Sequence, residues 1–248
     1  MKKIFLYILA GSLCFSACKK DDDVETFVEP EDIAVRNTYD DQAIQKFLDE
    51  NYLDTQGNIK AFSSTDTADD NYKKLSELNP VKLPSGVIYI VRATAQPDPG
   101  ATIGTNTLIK TMMKASYYLA TETDGKGVFG ATLSGTILNT INGTGSPVTD
   151  PQFYYVKKQT LTAATTDDAK KRTYYEIEGL QEGLQHFKGF QNMADGDPYN
   201  LQGVIIVPSR AAFARDSHFN YTGYSLKNVS FVFNFQIYDA RTRQTGEE

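Results

Sequence analysis

Side chains able to do acid–base or nucleophilic chemistry are scarce in this 248-residue chain. The two histidines, His186 and His218, lie far apart with no evident acidic partner, so both read as structural or surface groups. Asp21–Asp23 and Asp167-Asp168 lack the ligand spacing of a calcium loop. Gly143-Thr144-Gly145 lacks the strand–helix context of a nucleotide loop. No metal and no cofactor is therefore expected. The chain has no Trp, which removes the exposed indole platforms of a sugar-capturing surface. It does hold many Phe and Tyr, so its best chemistry is an apolar cup that binds by shape.

The first residues carry an export address. Met1-Lys2-Lys3 is a positive start, Ile4 to Phe15 is an apolar run of signal length, and Ser16-Ala17 is a small pair before Cys18. The run is too short to span a bilayer, which takes about 20 apolar residues. A Cys directly after the small pair resembles the lipobox of bacterial lipoproteins, although Phe15 stands where Leu is usual. The resemblance implies cleavage before Cys18 and lipid on its thiol; an ordinary signal with an accidental Cys is the other reading. Cys14 would leave with the signal, so the mature chain would keep no free thiol and no disulfide. Lys19-Lys20-Asp21-Asp22-Asp23 is either a solvated tether or the surface-export signal that it resembles in lipoproteins of the Bacteroidota. The expected place is the cell envelope, on the outer membrane, periplasmic or surface-exposed.

Net charge is -6 and becomes about -8 without the signal, which argues against nucleic acid as a partner. The divisions expected are a signal at 1–17, an acidic tether at 18–35, a helical segment at 36–82, a main domain at 83–242 and a tail at 243–248.

Asp40 to Leu53 predicts a helix, with Asp40 as cap and Ile44, Phe47 and Leu48 on one face. Val87 to Val91, Leu108 to Thr121 and Val204 to Val207 predict strands, and Asp124-Gly125 a hairpin turn. Gly130 to Lys171 is polar and Gly-rich and predicts a long loop, with Phe153 to Val156 as a short strand. Leu180 to Lys188 predicts one short helix. Val229 to Tyr238 alternates and predicts a strand buried on one face only. The fold class is α+β: an antiparallel sheet around one short helix, preceded by a helical segment.

Four segments then look alike to one family. Glu176 to Leu184, Val204 to Phe213, Asn228 to Phe235, and Pro99-Gly100 with Tyr118 to Phe129 resemble, in order, motifs of FKBP-type peptidyl-prolyl isomerases. The likeness runs from about Leu83 to Arg241, and the lipoprotein start is similar to FKBP-like lipoproteins of the Bacteroidota. Rotation about an X-Pro bond faces a barrier of about 18–20 kcal/mol from amide resonance. A dry aromatic cup that holds the proline ring, with a few donors on the twisted amide, lowers it without any ionised nucleophile. The resemblance implies that the cup comprises Tyr118, Phe129, Ile177, Leu180, Phe213 and Phe233. Ile177 would offer its N–H to the substrate carbonyl, and Leu180 would form the floor.

The chain departs from the family at the polar partners. Gly130 replaces an acidic residue, Phe213 replaces a hydroxyl-bearing Tyr, and the loops at 130–175 and 191–203 are long. Each lost hydrogen bond is worth about 0.5–1.5 kcal/mol. Two functions follow from the resemblance. One is a slow lipid-anchored isomerase or foldase acting on exported polypeptides with X-Pro bonds. The other is an inactive FKBP-fold lipoprotein that binds a protein partner at the envelope.

Overall fold

The structure is a computed structural model that describes residues 27–142 and 145–248. The signal, Cys18 and the acidic tether up to residue 26 lie outside the described residues, as do Gly143 and Thr144. Among the described residues no helix is long and apolar enough to cross a membrane.

The N-terminal unit is helix α1 (Ile33–Glu50) followed by a small hairpin, β1 (Asn51–Leu53) and β2 (Ile59–Ala61). Helix α1 begins seven residues before the predicted start. Asp32 is the cap, its carboxylate accepting from the Ala34 N–H at 2.7 Å. Asp40, expected as the cap, is instead buried in the middle of the helix.

The main sheet is antiparallel in the order β3-β4-β10-β11-β6-β7, with β8 beside β6. Its strands are β3 (Val81–Lys82), β4 (Ile88–Val91), β6 (Thr107–Thr123), β7 (Lys126–Asn139), β8 (Val148–Thr149), β10 (Gly203–Val207) and β11 (Val229–Thr242). A separate pair joins β5 (Ala101–Thr102) to β9 (Lys188–Gly189). Asp124 and Gly125 both have positive φ, 52° and 74°, which suits the tight β6–β7 turn expected there. The sheet is mostly antiparallel and the helices few, so the chain is α+β.

Three predicted elements differ. Gly130 to Asn139 is part of β7 rather than a loop, because β6 pairs with it again from Ser134 after a break at residues 130–133. Phe153 to Val156 forms no strand, and Phe153 and Tyr154 lie in a turn. Within the supposed loop, Lys158–Ala163 forms the short helix α2.

Strand β11 is buried on both faces instead of one. One face packs beneath α3 (Glu178–Leu184), where Leu180, Leu184, Ile205, Val207, Phe231, Phe233 and Phe235 make the larger core. The other face packs beneath α1, where Ile44, Leu48, Ile90, Val204, Ile206 and Val232 make a second core. Two polar residues of that second face, Asn234 and Gln236, are paired rather than solvated. Asn234 Nδ2 donates to the carbonyls of Gly57 and Gly203, each at 3.0 Å. Gln236 Oε1 accepts from the Asn200 N–H at 2.5 Å.

Helix α1 is fixed by a buried ionic chain. Arg36 donates to Asp40 at 3.0 Å, to the Ala120 carbonyl at 2.7 Å and to Glu29 at 3.0 Å. Asp40 accepts in turn from the N–H and hydroxyl of Ser209 at 3.0 and 2.5 Å, so α1 is tied to the loop after β10. Burial pushes the Asp40 carboxyl above its ordinary range, opposed by Arg36 and by the Ser209 hydrogen bonds. At the surface Arg210 donates to Asp41 at 2.7 Å, and Arg215 grips the carbonyls of Pro30 and Glu31. Breaking one side of a buried pair leaves the other charge desolvated and alone. Asp40→Asn is expected to lower unfolding free energy by about 3–5 kcal/mol, read from urea denaturation, while Asp41→Asn at the surface stays within about 1 kcal/mol.

Candidate functional site

The six expected cup residues divide between the two faces of the sheet. Ile177, Leu180, Phe213 and Phe233 lie together on the α3 face, all buried. Tyr118 and Phe129 lie on the opposite face, against α1. There Tyr118 stacks on Phe129 with centroids 4.7 Å apart, and Phe47 of α1 meets both rings at 5.8 and 5.9 Å. Successive residues of a strand point to opposite sides, so of the neighbours Tyr117 and Tyr118 one must face α3. Tyr117 does, opposite Phe231 on β11. The single six-residue cup expected from the sequence is therefore not formed.

The four residues that do converge surround a space already filled. Phe153, contributed by the long segment between β8 and α2, is 2% exposed. Its ring meets Phe213 at 6.0 Å, Phe231 at 5.3 Å and Phe233 at 6.3 Å, edge-on or tilted, the arrangement that aromatic quadrupoles favour. Tyr221, from the loop before β11, closes over it at 4.6 Å and donates its hydroxyl to the Tyr175 carbonyl at 2.8 Å. Burial pushes the Tyr221 phenol well above its ordinary range, so it stays neutral.

The backbone donor expected at the site is also taken. The Ile177 N–H donates to the carbonyl of Phe153 at 2.8 Å. Phe153 reaches this position with a φ of 73°, and Asp150 just before it has a φ of 47°. A bulky residue in the left-handed region costs free energy, on the order of 1–3 kcal/mol, and persists only where its surroundings hold it.

Those surroundings are dense. Arg243 makes two bonds to the Asp150 carboxylate, at 2.7 and 2.8 Å. The Tyr154 hydroxyl donates to the Thr107 carbonyl at 2.6 Å, and Gln181 donates to the Tyr154 carbonyl at 2.7 Å. Buried Glu176 accepts from the Val156 N–H at 2.7 Å and from Arg172 at 2.7 Å. Tyr155 lies beneath two guanidinium groups, those of Arg243 at 3.5 Å and Arg172 at 4.6 Å.

Sequence reasoning missed Phe153, Tyr221 and Tyr117. The Asp150-Pro151 pair marks a turn, yet nothing in the sequence says that the ring two residues on will enter the core. His218 and His186 act as packing groups, stacked on Phe213 at 4.7 Å and on Tyr89 at 4.2 Å. No cluster of three or more His, Cys, Asp or Glu able to hold a metal occurs among the described residues.

No protein-family model and no curated protein matches the chain. Among solved structures it is similar to the crystal structure of FkpA from Escherichia coli, with TM-score 0.34 and 18% identity over 66% of this chain and 52% of that one. The chain thus spans about half the length of that protein.

Removing the Phe153 ring takes an aromatic plug from a packed core. Phe153→Ala is expected to cost about 3–5 kcal/mol of stability, measured by urea denaturation. Phe219→Ala, at an exposed ring of the same loop cluster, is expected to cost under about 1 kcal/mol.

Proposed function

We propose that this chain is a lipid-anchored, FKBP-like protein of the cell envelope whose proline hollow is shut by its own Phe153, and that it works by binding a protein partner rather than by catalysis. The observation that carries the reading is the double occupation of the hollow. The Phe153 ring stands among Phe213, Phe231 and Phe233, and its carbonyl takes the Ile177 N–H that a substrate carbonyl would need. Entry of a prolyl residue would require expelling a ring held by the Asp150–Arg243 pair and the Tyr154 and Glu176 hydrogen bonds. The missing polar partners, Gly130 and Phe213, support the same reading.

Isomerisation is the second reading. Four of the six apolar residues do stand together, and an opened segment would leave a dry hollow lined by them. The membrane attachment rests on the Ser16-Ala17-Cys18 pattern.

A proline-isomerisation assay on the chain from Phe27 onward separates the two readings. Rates equal to buffer are expected for the wild type, and also for Gly130→Asp and Phe213→Tyr. A wild-type rate clearly above buffer would reject the binding-only proposal. Attachment is tested separately: Cys18→Ala is expected to abolish incorporation of labelled palmitate and to release the protein from the membrane fraction. Unchanged labelling would overturn the anchor.

A further inference from the structure

The large apolar side chains most open to solvent gather where the described chain begins. Among the described residues Val28, 82% exposed, and Ile33, 60% exposed, lead all others of that kind. Arg215 holds the stretch between them, donating to the carbonyls of Pro30 at 2.6 Å and Glu31 at 2.7 Å. Four residues after Arg215 stands Phe219, 44% exposed, whose N–H donates to the Tyr174 carbonyl at 2.7 Å. Its ring is braced by Tyr175 and Tyr221, with centroids 5.5 and 4.9 Å away. Open apolar side chains normally lie scattered singly, yet these three stand on two segments that Arg215 ties together.

Charge does not draw a partner to this end. Arg215, Lys170 and Lys171 are there, but Glu31, Asp32, Asp167, Asp168 and Asp216 at least match them. Lys170 is paired with Asp167 and Lys171 with Asp168, which also bonds Ser217 of the same loop. Reach, by contrast, does select an occupant. Cys18 and Phe27 are nine residues apart, so a lipid on Cys18 keeps Phe27 within about 30 Å of the bilayer. At that range the bilayer is always at hand, while any other partner must arrive from solution. An apolar end on so short a leash meets lipid first.

We propose that Val28, Ile33 and Phe219 are a membrane-facing end of the domain, seated at the head-group level of the bilayer that carries the Cys18 lipid. The inference rests on the lipid anchor proposed above and adds side-chain contact to it. Arg215 keeps its guanidinium at the interface while its stem follows the apolar residues. The β1–β2 hairpin lies beyond the far end of α1, a helix of 18 residues and about 27 Å, and is held clear of the lipid. Anchor and apolar seat together set which way the domain faces, which a tether by itself does not.

The chain has no Trp, so a single introduced indole reports its own surroundings. Ile33→Trp and Phe219→Trp place one at the proposed seat. Tyr72→Trp places one at the far end, where Tyr72 is 37% exposed and stacks on Tyr52 of β1 at 4.6 Å. Each full chain, isolated from membranes, is reconstituted into vesicles of phosphatidylethanolamine and phosphatidylglycerol with brominated acyl chains. Emission of Ile33→Trp and Phe219→Trp is expected to shift to the blue and to be quenched by the bromine, and that of Tyr72→Trp to do neither. Because the seat is apolar, the quenching is expected to persist in about 1 M salt, where the Debye length is about 3 Å. Chains that enter the vesicles with all three indoles equally unquenched overturn this inference and leave the anchor standing. A blue shift without quenching overturns it too, since protein and not lipid then covers the rings, and so does quenching that salt abolishes. A chain that does not enter the vesicles denies the anchor, and the inference falls with it.

Discussion

Strands β10 and β11 are buried on both faces, and that constraint organises the molecule. A single helix can cover only one face of a sheet, and an uncovered apolar face of this size would remain in water. Helix α3 and the long segment after β8 cover one side, and α1 with its hairpin covers the other. The N-terminal unit is thus half of the fold's cover and not a loose preface to it. Its attachment is ionic as well as apolar, since the Arg36–Asp40–Ser209 chain joins helix, strand β6 and loop in one buried path.

Such a buried chain is a poor source of net stability but a strict one of geometry. Desolvating Arg36 and Asp40 costs free energy that their attraction and hydrogen bonds only roughly offset. A shifted helix would leave both charges buried without partners. The network therefore selects one placement of α1, and with it the stacking of Phe47 on Tyr118 and Phe129.

The α3 face shows the opposite economy. Its aromatic hollow has the residue types of a binding site, yet the chain fills it from within. The left-handed backbone at Asp150 and Phe153 is strained, and the bidentate Arg243 pair beside it supplies charge-assisted bonds that hold it. A segment anchored at so many points is structural packing.

Local pattern by itself determined strands β4, β6, β10 and β11 and the turn after β6, but not β7, whose Gly-rich half reads as loop until β6 pairs with it. Runs such as Val204 to Val207 and the Asp124-Gly125 turn depend on side-chain branching and backbone freedom, which act between near neighbours. The α3 segment and the burial of Leu180 and Phe233 were legible for the same reason, since their apolar spacing is local, whereas Ile177 and Phe213 were singled out only by the family resemblance. The face of Tyr118 was not, because a one-residue choice of register inverts every side chain of a strand and only the β11 partner fixes it. Neither was the second cover on β11, where Asn234 and Gln236 look solvent-facing until the hairpin and the Asn200 loop come to pair with them. The entry of Phe153 was decided last of all. It rests on ring contacts with Phe213 and Phe231 and on the Arg243 pair to Asp150, all far along the chain, and no local signal distinguishes a ring that plugs a core from one that lies on a loop.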